Sequence, residues 1–305
     1  MISVGCDVGK KNFHVFLKGK NYEFENEKKG IGEFVRLCKK HTIARVVLEP
    51  TGGYERKLLN KLYECDIPVS VVNPKYVRNF AGIEKDLAKT DKIDAKALSE
   101  YGETVKPKLY EPKDPYRCEL ETLTNRRANL VQMKREEKQR LEKKPSKRVL
   151  QSINKHLKHL EKQIAELDSE IEQLIAENAS EVAEVLQSEK GIGPQTAAVL
   201  IASLPELGHI DNRQIAKLIG TAPMAKDSGT KSGKRAIRGG RERVRTALYM
   251  ASISAIRSND KVKDFYKRLR AKGLPVKAAL LAVDRKLLVI LNSKMRLFYE
   301  GKDYF

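Results

Sequence analysis

Nothing in this chain reads as a disulfide framework or a zinc site. Its four cysteines, Cys6, Cys38, Cys65 and Cys118, include no Cys-x-x-Cys pair and have no histidine at zinc-ligand spacing. They read as reduced, mostly buried thiols, and a cytoplasmic location is expected from them. Long apolar runs are also missing. The most apolar late stretch, Ala278 to Leu291, is broken by Asp284, Arg285 and Lys286. The N-terminus alternates like a strand and lacks a charged lead with an apolar core, so neither membrane spanning nor secretion is indicated. Acids are the scarcer charge. Forty Asp and Glu face sixty Lys and Arg, a formal +20, and that field makes nucleic acid the default partner.

What is present divides the chain into three. With 305 residues and 41% hydrophobic composition there is material for two domains and a connector. Residues 2–8 and 13–17 are strand candidates around a turn at Gly9-Lys10-Lys11-Asn12, and Tyr22 to Glu25 suggests a third strand. A helical pattern over Ile31 to Lys40 follows, then an apolar strand, Ala44 to Leu48. Pro50-Thr51-Gly52-Gly53 breaks the chain before a helix at 54–65 and a strand at 69–72. Three strands and then alternating helix and strand predict a mixed α/β sheet covered by helices, in the element order of a ribonuclease-H-like fold. This first domain is assigned to residues 1–106.

Acids sit at telling places in it. Asp7 and Glu49 lie at the ends of apolar strands, where an unpaired charge is costly. Asp91 and Asp94, in Lys-Thr-Asp-Lys-Ile-Asp-Ala, share one face if that segment is helical. Carboxylates that converge repel one another unless a cation lies between them, and an all-oxygen set suits Mg²⁺ or Mn²⁺. In the predicted fold these four acids meet at one sheet edge. Taken singly, each also reads as an ordinary strand-end or solvated helix charge.

Residues 107–180 form the connector. Three prolines interrupt 107–115, and long charged helices follow. Ile153, Leu157, Leu160, Ile164, Leu167, Ile171 and Leu174 alternate steps of four and three, a coiled-coil seam. In the first helix Arg127, Lys134 and Glu137 occupy seam positions, which predicts weaker packing. The two helices, separated at Pro145, fold back as a hairpin or pair with another protomer. His156 and His159, three apart, read as solvated flank residues.

Residues 181–305 read as a mostly α domain. Lys190-Gly191-Ile192-Gly193-Pro194 joins two helices in the manner of a helix-hairpin-helix, which offers N–H groups to phosphate at a helix N-terminus. A plain packing corner is the alternative, and Walker-type spacing is absent. A cationic, glycine- and serine-rich loop then runs from Gly220 to Arg245. Lys231, Lys234, Arg235, Arg238, Arg241, Arg243 and Arg245 suit a phosphate backbone. Ser228 and Ser232, each before a glycine, are hydroxyls set among these cations.

Several of these motifs together resemble one family. Gly5-Cys6-Asp7-Val8-Gly9-Lys10, Leu48-Glu49-Pro50-Thr51-Gly52-Gly53-Tyr54, Val72-Asn73-Pro74 and Lys89-Thr90-Asp91-Lys92-Ile93-Asp94-Ala95 resemble the DEDD-type insertion-sequence transposases. These are relatives of the pilin-gene invertase and include bridge-RNA-guided recombinases. Gly191-Ile192-Gly193-Pro194, Gly220-Thr221-Ala222-Pro223 and Gly239-Gly240-Arg241 look like that family's second domain. The resemblance implies a Holliday-resolvase-like N-terminal domain, a coiled-coil connector and a C-terminal transposase domain. It implies Asp7, Glu49, Asp91 and Asp94 as a metal tetrad, and a serine nucleophile that falls most naturally on Ser228, with Ser232 the alternative. It further implies a homo-oligomer, DNA element ends and target as partners, and a non-coding guide RNA. The expected function is metal-assisted strand cleavage and exchange. The alternative is a junction-cutting, metal-dependent endonuclease with water as nucleophile. A phosphate-loop kinase lacks its second Asp-x-Gly loop here, and a non-catalytic nucleic-acid scaffold would bind without cutting.

Overall fold

The structure, a computed structural model, describes residues 2–82, 91–112, 114–222, 237 and 239–303, with only the backbone at 81, 91 and 92. It separates into two compact units, Met1–Pro112 and Lys113–Phe305.

The first unit is built on one mixed five-stranded sheet. Its elements are β1 (Ile2–Val8), β2 (Asn12–Leu17), β3 (Lys20–Glu25), α1 (Lys28–Lys39), β4 (Ile43–Leu48), α2 (Arg56–Glu64), β5 (Val69–Val71), α3 (Pro74–Ala81) and α4 (Asp91–Val105). The strand order is β3-β2-β1-β4-β5. β1 pairs antiparallel with β2, and β2 with β3, while β1, β4 and β5 run parallel. Alternation along the strands sorts side chains to two faces. Val4, Cys6, Val8, Val46 and Leu48 pack with Ile31, Phe34, Leu58 and Leu62 of α1 and α2. Ser3, Gly5 and Val47 face α4, and Val47, Val72 and Val77 pack with Leu98 and Tyr101 of that helix.

α4 lies unusually close to β1, and Gly5 is the reason. A Cβ on Gly5 would stand 1.8 Å from the Ala95 carbonyl oxygen and 2.5 Å from the Ser99 nitrogen. The Ser99 hydroxyl donates to the Ser3 carbonyl at 2.8 Å. The segment after α4 stays with this unit: Arg45 and Ser70 donate to the Pro107 carbonyl, Ser70 at 3.1 Å, and the Tyr110 N–H donates to Val69 at 2.7 Å.

The second unit is helical: α5 (Pro115–Leu141), α6 (Lys147–Asn178), α7 (Ser180–Gln187), α8 (Pro194–Ser203), α9 (Asn212–Ile219), α10 (Glu242–Ser258), α11 (Asp260–Ala271) and α12 (Val276–Tyr299). α5 and α6 form an antiparallel hairpin within the chain, with Leu130, Leu160, Ile164 and Leu167 packed together. The charges expected to weaken the seam are paired across it. Arg127 binds Asp168, Lys134 Nζ lies 2.9 Å from Glu161, and His156 Nδ1 lies 2.9 Å from the Glu137 carboxylate. His156 is therefore an exposed flank residue that also meets the Glu137 carboxylate across the hairpin. The remaining helices surround a core that includes Val185, Leu200, Ile215, Leu248 and Leu291. Among the described residues no helix is long and apolar enough to cross a membrane.

Candidate functional site

Three parallel strands end side by side, and the predicted acids are at those ends. Asp7 is the penultimate residue of β1, two beyond Gly5 and so on the face that α4 covers. Cys6 pairs with Leu48 across β1 and β4, so Glu49, the residue after β4, stands level with Asp7 on the adjacent strand. It is two residues beyond Val47 and takes the same face. Neighbouring strands are about 4.8 Å apart, so the two backbones are near neighbours. The Asp7 charge is felt locally. Burial pushes the Cys6 thiol well up, and Asp7 and Cys38 push it further.

α4 runs antiparallel to β1, with Ser99 over Ser3 and Ala95 over Gly5. Four helical residues advance about 6 Å and two strand residues about 6.6 Å. One further step brings the backbone at residue 91, the start of α4, level with Asp7. Asp94 is half-buried in that first turn. The fold therefore gathers Asp7, Glu49 and the N-terminal turn of α4 at one end of one sheet face. The Asp91 side chain lies outside the described residues. Among the described residues no three His, Cys, Asp or Glu side chains form a ready cation cage.

The donor set fits a hard divalent cation: carboxylate oxygens only, on strand ends and a helix start held by close backbone packing. The turn beyond Glu49 is fixed by a different acid. Glu55 accepts from the Thr51 N–H at 3.0 Å, the Thr51 hydroxyl at 3.0 Å and the Gly53 N–H at 2.9 Å. Burial would raise its pKa, but these bonds and its own N–H hold it below the ordinary carboxylate value. Asn26, buried, ties the other loops of this edge together. Its amide donates to the Gly9 and Tyr54 carbonyls, both at 3.0 Å. Sequence reasoning missed Asn26 and Glu55; Asn26 directly follows the third predicted strand and Glu55 lies just past the Pro50–Gly53 break.

In the second unit the Gly-x-Gly turn divides between two roles. Gly191, at φ +105°, packs on α10, where a Cβ would meet the Ala255 Cβ at 2.5 Å. Gly193 caps α8 over open space, and Lys190 is exposed. Gly191 is thus a packing glycine, while Gly193 and Lys190 face outward.

Ser228, Ser232, Lys231, Lys234, Arg235 and Arg238 lie outside the described residues, but the neck of their loop is described. Gly220 (φ +80°) closes α9, and a Cβ there would meet the Gly239 carbonyl oxygen at 2.3 Å. A Cβ on Gly240 would meet the Ile219 carbonyl carbon at 2.3 Å. Arg245 donates to both sides of this pinch, to Ile219 at 3.1 Å and Gly239 at 2.6 Å. Arg241 makes a two-pronged pair with Glu206, at 2.5 and 2.6 Å, and donates to the Ser203 carbonyl. Arg243 reaches Asn125 and the Glu121 carbonyl on α5, and burial lowers its pKa. These three cations, read from sequence as phosphate contacts, are engaged by protein acceptors: Arg245 across the neck, Arg241 at Ser203 and Glu206, and Arg243 on α5.

Comparison with known proteins accords with both halves. A family model described as a DEDD-type IS110 transposase matches residues 4–154, and one described as a transposase of the IS116/IS110/IS902 family matches residues 183–267. The pilin gene-inverting proteins of Moraxella bovis and Moraxella lacunata are each 28% identical over 307 residues, covering 96% of this chain and 95% of the relative. A 43.6 kDa protein of insertion element IS110 from Streptomyces coelicolor is 30% identical over 163 residues, half of this chain and 38% of that protein.

Proposed function

Because the chain belongs to the IS110 family of DEDD-type transposases and is a DNA recombinase of that kind, we propose that it cuts and rejoins DNA strands with Ser228 as nucleophile and with a cation held by Asp7, Glu49, Asp91 and Asp94. The observation that carries this reading is the alignment of Asp7, Glu49 and the first turn of α4 at one end of the sheet face. The strand order β3-β2-β1-β4-β5 supports a ribonuclease-H-like reading of the first unit.

The acids would hold Mg²⁺ or Mn²⁺, which when bound polarises a phosphoryl oxygen and neutralises charge on the leaving oxygen. The chain's own residues do the rest. Ser228 gives up its hydroxyl proton and forms an Oγ–P ester as the P–O bond to the departing strand breaks; the freed oxygen takes a proton. The reverse attack by a strand hydroxyl rejoins DNA without hydrolysis. Arg245 supports this step by bracing the neck of the loop that carries Ser228, and Arg241 and Arg243 anchor the start of α10.

DNA of the element ends and its target is the substrate on this reading, with a guide RNA and a homo-oligomer as further partners. The +20 charge supports polyanionic partners, and Val131, Met133, Val149 and Leu150, apolar and exposed on the hairpin, support contact with another copy.

One assay tests the chemistry. Incubated with junction DNA and Mg²⁺, the protein should yield a covalent protein–DNA adduct after denaturation. Ser228→Ala and Asp94→Asn should both abolish it, by 10²-fold or more on the order of a lost catalytic group, with binding retained. A full-strength adduct from Asp94→Asn removes the metal role. Cleavage by Ser228→Ala without an adduct favours the water-using endonuclease.

A further inference from the structure

At the acid-bearing edge two tyrosines stand outward among cations, and no step above uses them. The Val72 N–H donates to the Leu48 carbonyl at 2.9 Å, so Asn73 opens α3 beside Glu49. The Asn73 side chain caps the helix by accepting from the Lys75 N–H at 2.9 Å. α3 buries Val77 and lays Phe80 edge-on to Tyr101 of α4, at 5.6 Å. That fixes which face is left over: Lys75, Tyr76, Arg78 and Asn79 point to solvent, and Tyr76 is 60% exposed. Tyr54, 47% exposed, follows the Glu49 turn, and Asn26 ties its carbonyl to the Gly9 turn that carries Lys10 and Lys11, both exposed.

A single exposed tyrosine is ordinary. Here one follows the turn beyond Glu49 and the other stands in the first turn of α3, which opens beside that residue, and each has exposed lysine or arginine close in sequence. A flat ring next to a cation takes the face of a base and its phosphate together, and the stack tolerates any sequence. Paired bases in a duplex hide their faces, so the match is to an unpaired strand.

We infer that Tyr54 and Tyr76, with Lys75 and Arg78, form a stacking platform for unpaired nucleotides at the acid-bearing edge of the first unit, so that a strand opened from its partner passes over the carboxylates. The inference deepens the recombinase reading by naming the form of nucleic acid that this edge takes.

Binding without divalent metal separates the two claims. Fluorescence anisotropy of the full chain in EDTA would use a labelled DNA fork with an unpaired arm, the matching blunt duplex, and the same arm as RNA. Tyr54→Ala/Tyr76→Ala should weaken fork binding about five-fold or more, the low end of the cost of losing one stacked base. Blunt-duplex binding should be unchanged, and Tyr54→Phe/Tyr76→Phe should bind the fork as the parent does. Lys75→Gln/Arg78→Gln should flatten the salt dependence of fork binding. Tighter binding of the RNA arm would make RNA the strand seated there; tighter binding of the DNA arm would make it the opened substrate. Equal losses on fork and duplex, or no loss, overturn the platform.

Discussion

Asp284 shows how one side chain can bear on the stability of a whole unit. It is fully buried, and among the described residues neither carboxylate oxygen has a hydrogen-bond partner. Burial raises its pKa to about 6, while the facing Ser252 and the Arg245 charge pull it only partly back. A raised carboxylate pKa means the folded state holds its proton more tightly than the unfolded chain. The contribution of this group to stability is therefore greatest below pH 4, falls as pH rises toward 6, and stays at the lower level above it. Asp284→Asn should remove that penalty. At pH 8 the variant should be more stable by on the order of 1–3 kcal/mol, and the gain should shrink toward zero at pH 4. Melting curves at the two pH values would check it; an equal gain at both would point to packing. Asn292, equally buried on the same helix, has its amide fully matched by Gly208, Ile210 and Asn212, and no such pH dependence follows from it.

Among elements, the contact of α4 with β1 decides where the acids stand. A glycine under a helix backbone sets the separation, and nothing larger fits. Gly5→Ala should cost at least about 2 kcal/mol in chemical denaturation, since overfilling a contact between backbones forces a shift, and strand cleavage should fall with the acids' alignment. Gly32→Ala is the control: nothing lies within 4 Å of a Cβ there, and a helical Gly→Ala change should be neutral or stabilising by up to about 1 kcal/mol. The hairpin shows a complementary rule. Its apolar seam was legible as a repeat of threes and fours, and its partner was not. Arg127, Lys134 and Glu137 interrupt the repeat in one helix, yet each meets an opposite or titratable group across the hairpin.

On the scale of the whole molecule, the two units have separate cores, and the first does not end where the composition changes. Pro107 and Tyr110 complete the β5 side through Arg45, Ser70 and Val69, and Tyr63 meets Tyr110 edge-on at 6.4 Å. Fragment 1–112 should therefore fold alone and melt several degrees above fragment 1–106; identical melting would show that the 107–112 segment adds nothing to that core.

Residue identity by itself determined the five strands and first two helices of the first unit, the acids and their spacing, the hairpin's apolar repeat and the cationic bias, because these follow from local periodicity and from the cost of isolated charge. Tertiary structure alone decided that Asp7, Glu49 and the start of α4 share one face and that Gly191 is a packing residue. It also decided that Arg241, Arg243 and Arg245 serve the protein's own carbonyls and acids. A side chain's partner depends on which distant backbone arrives beside it, and that is fixed only when the elements pack.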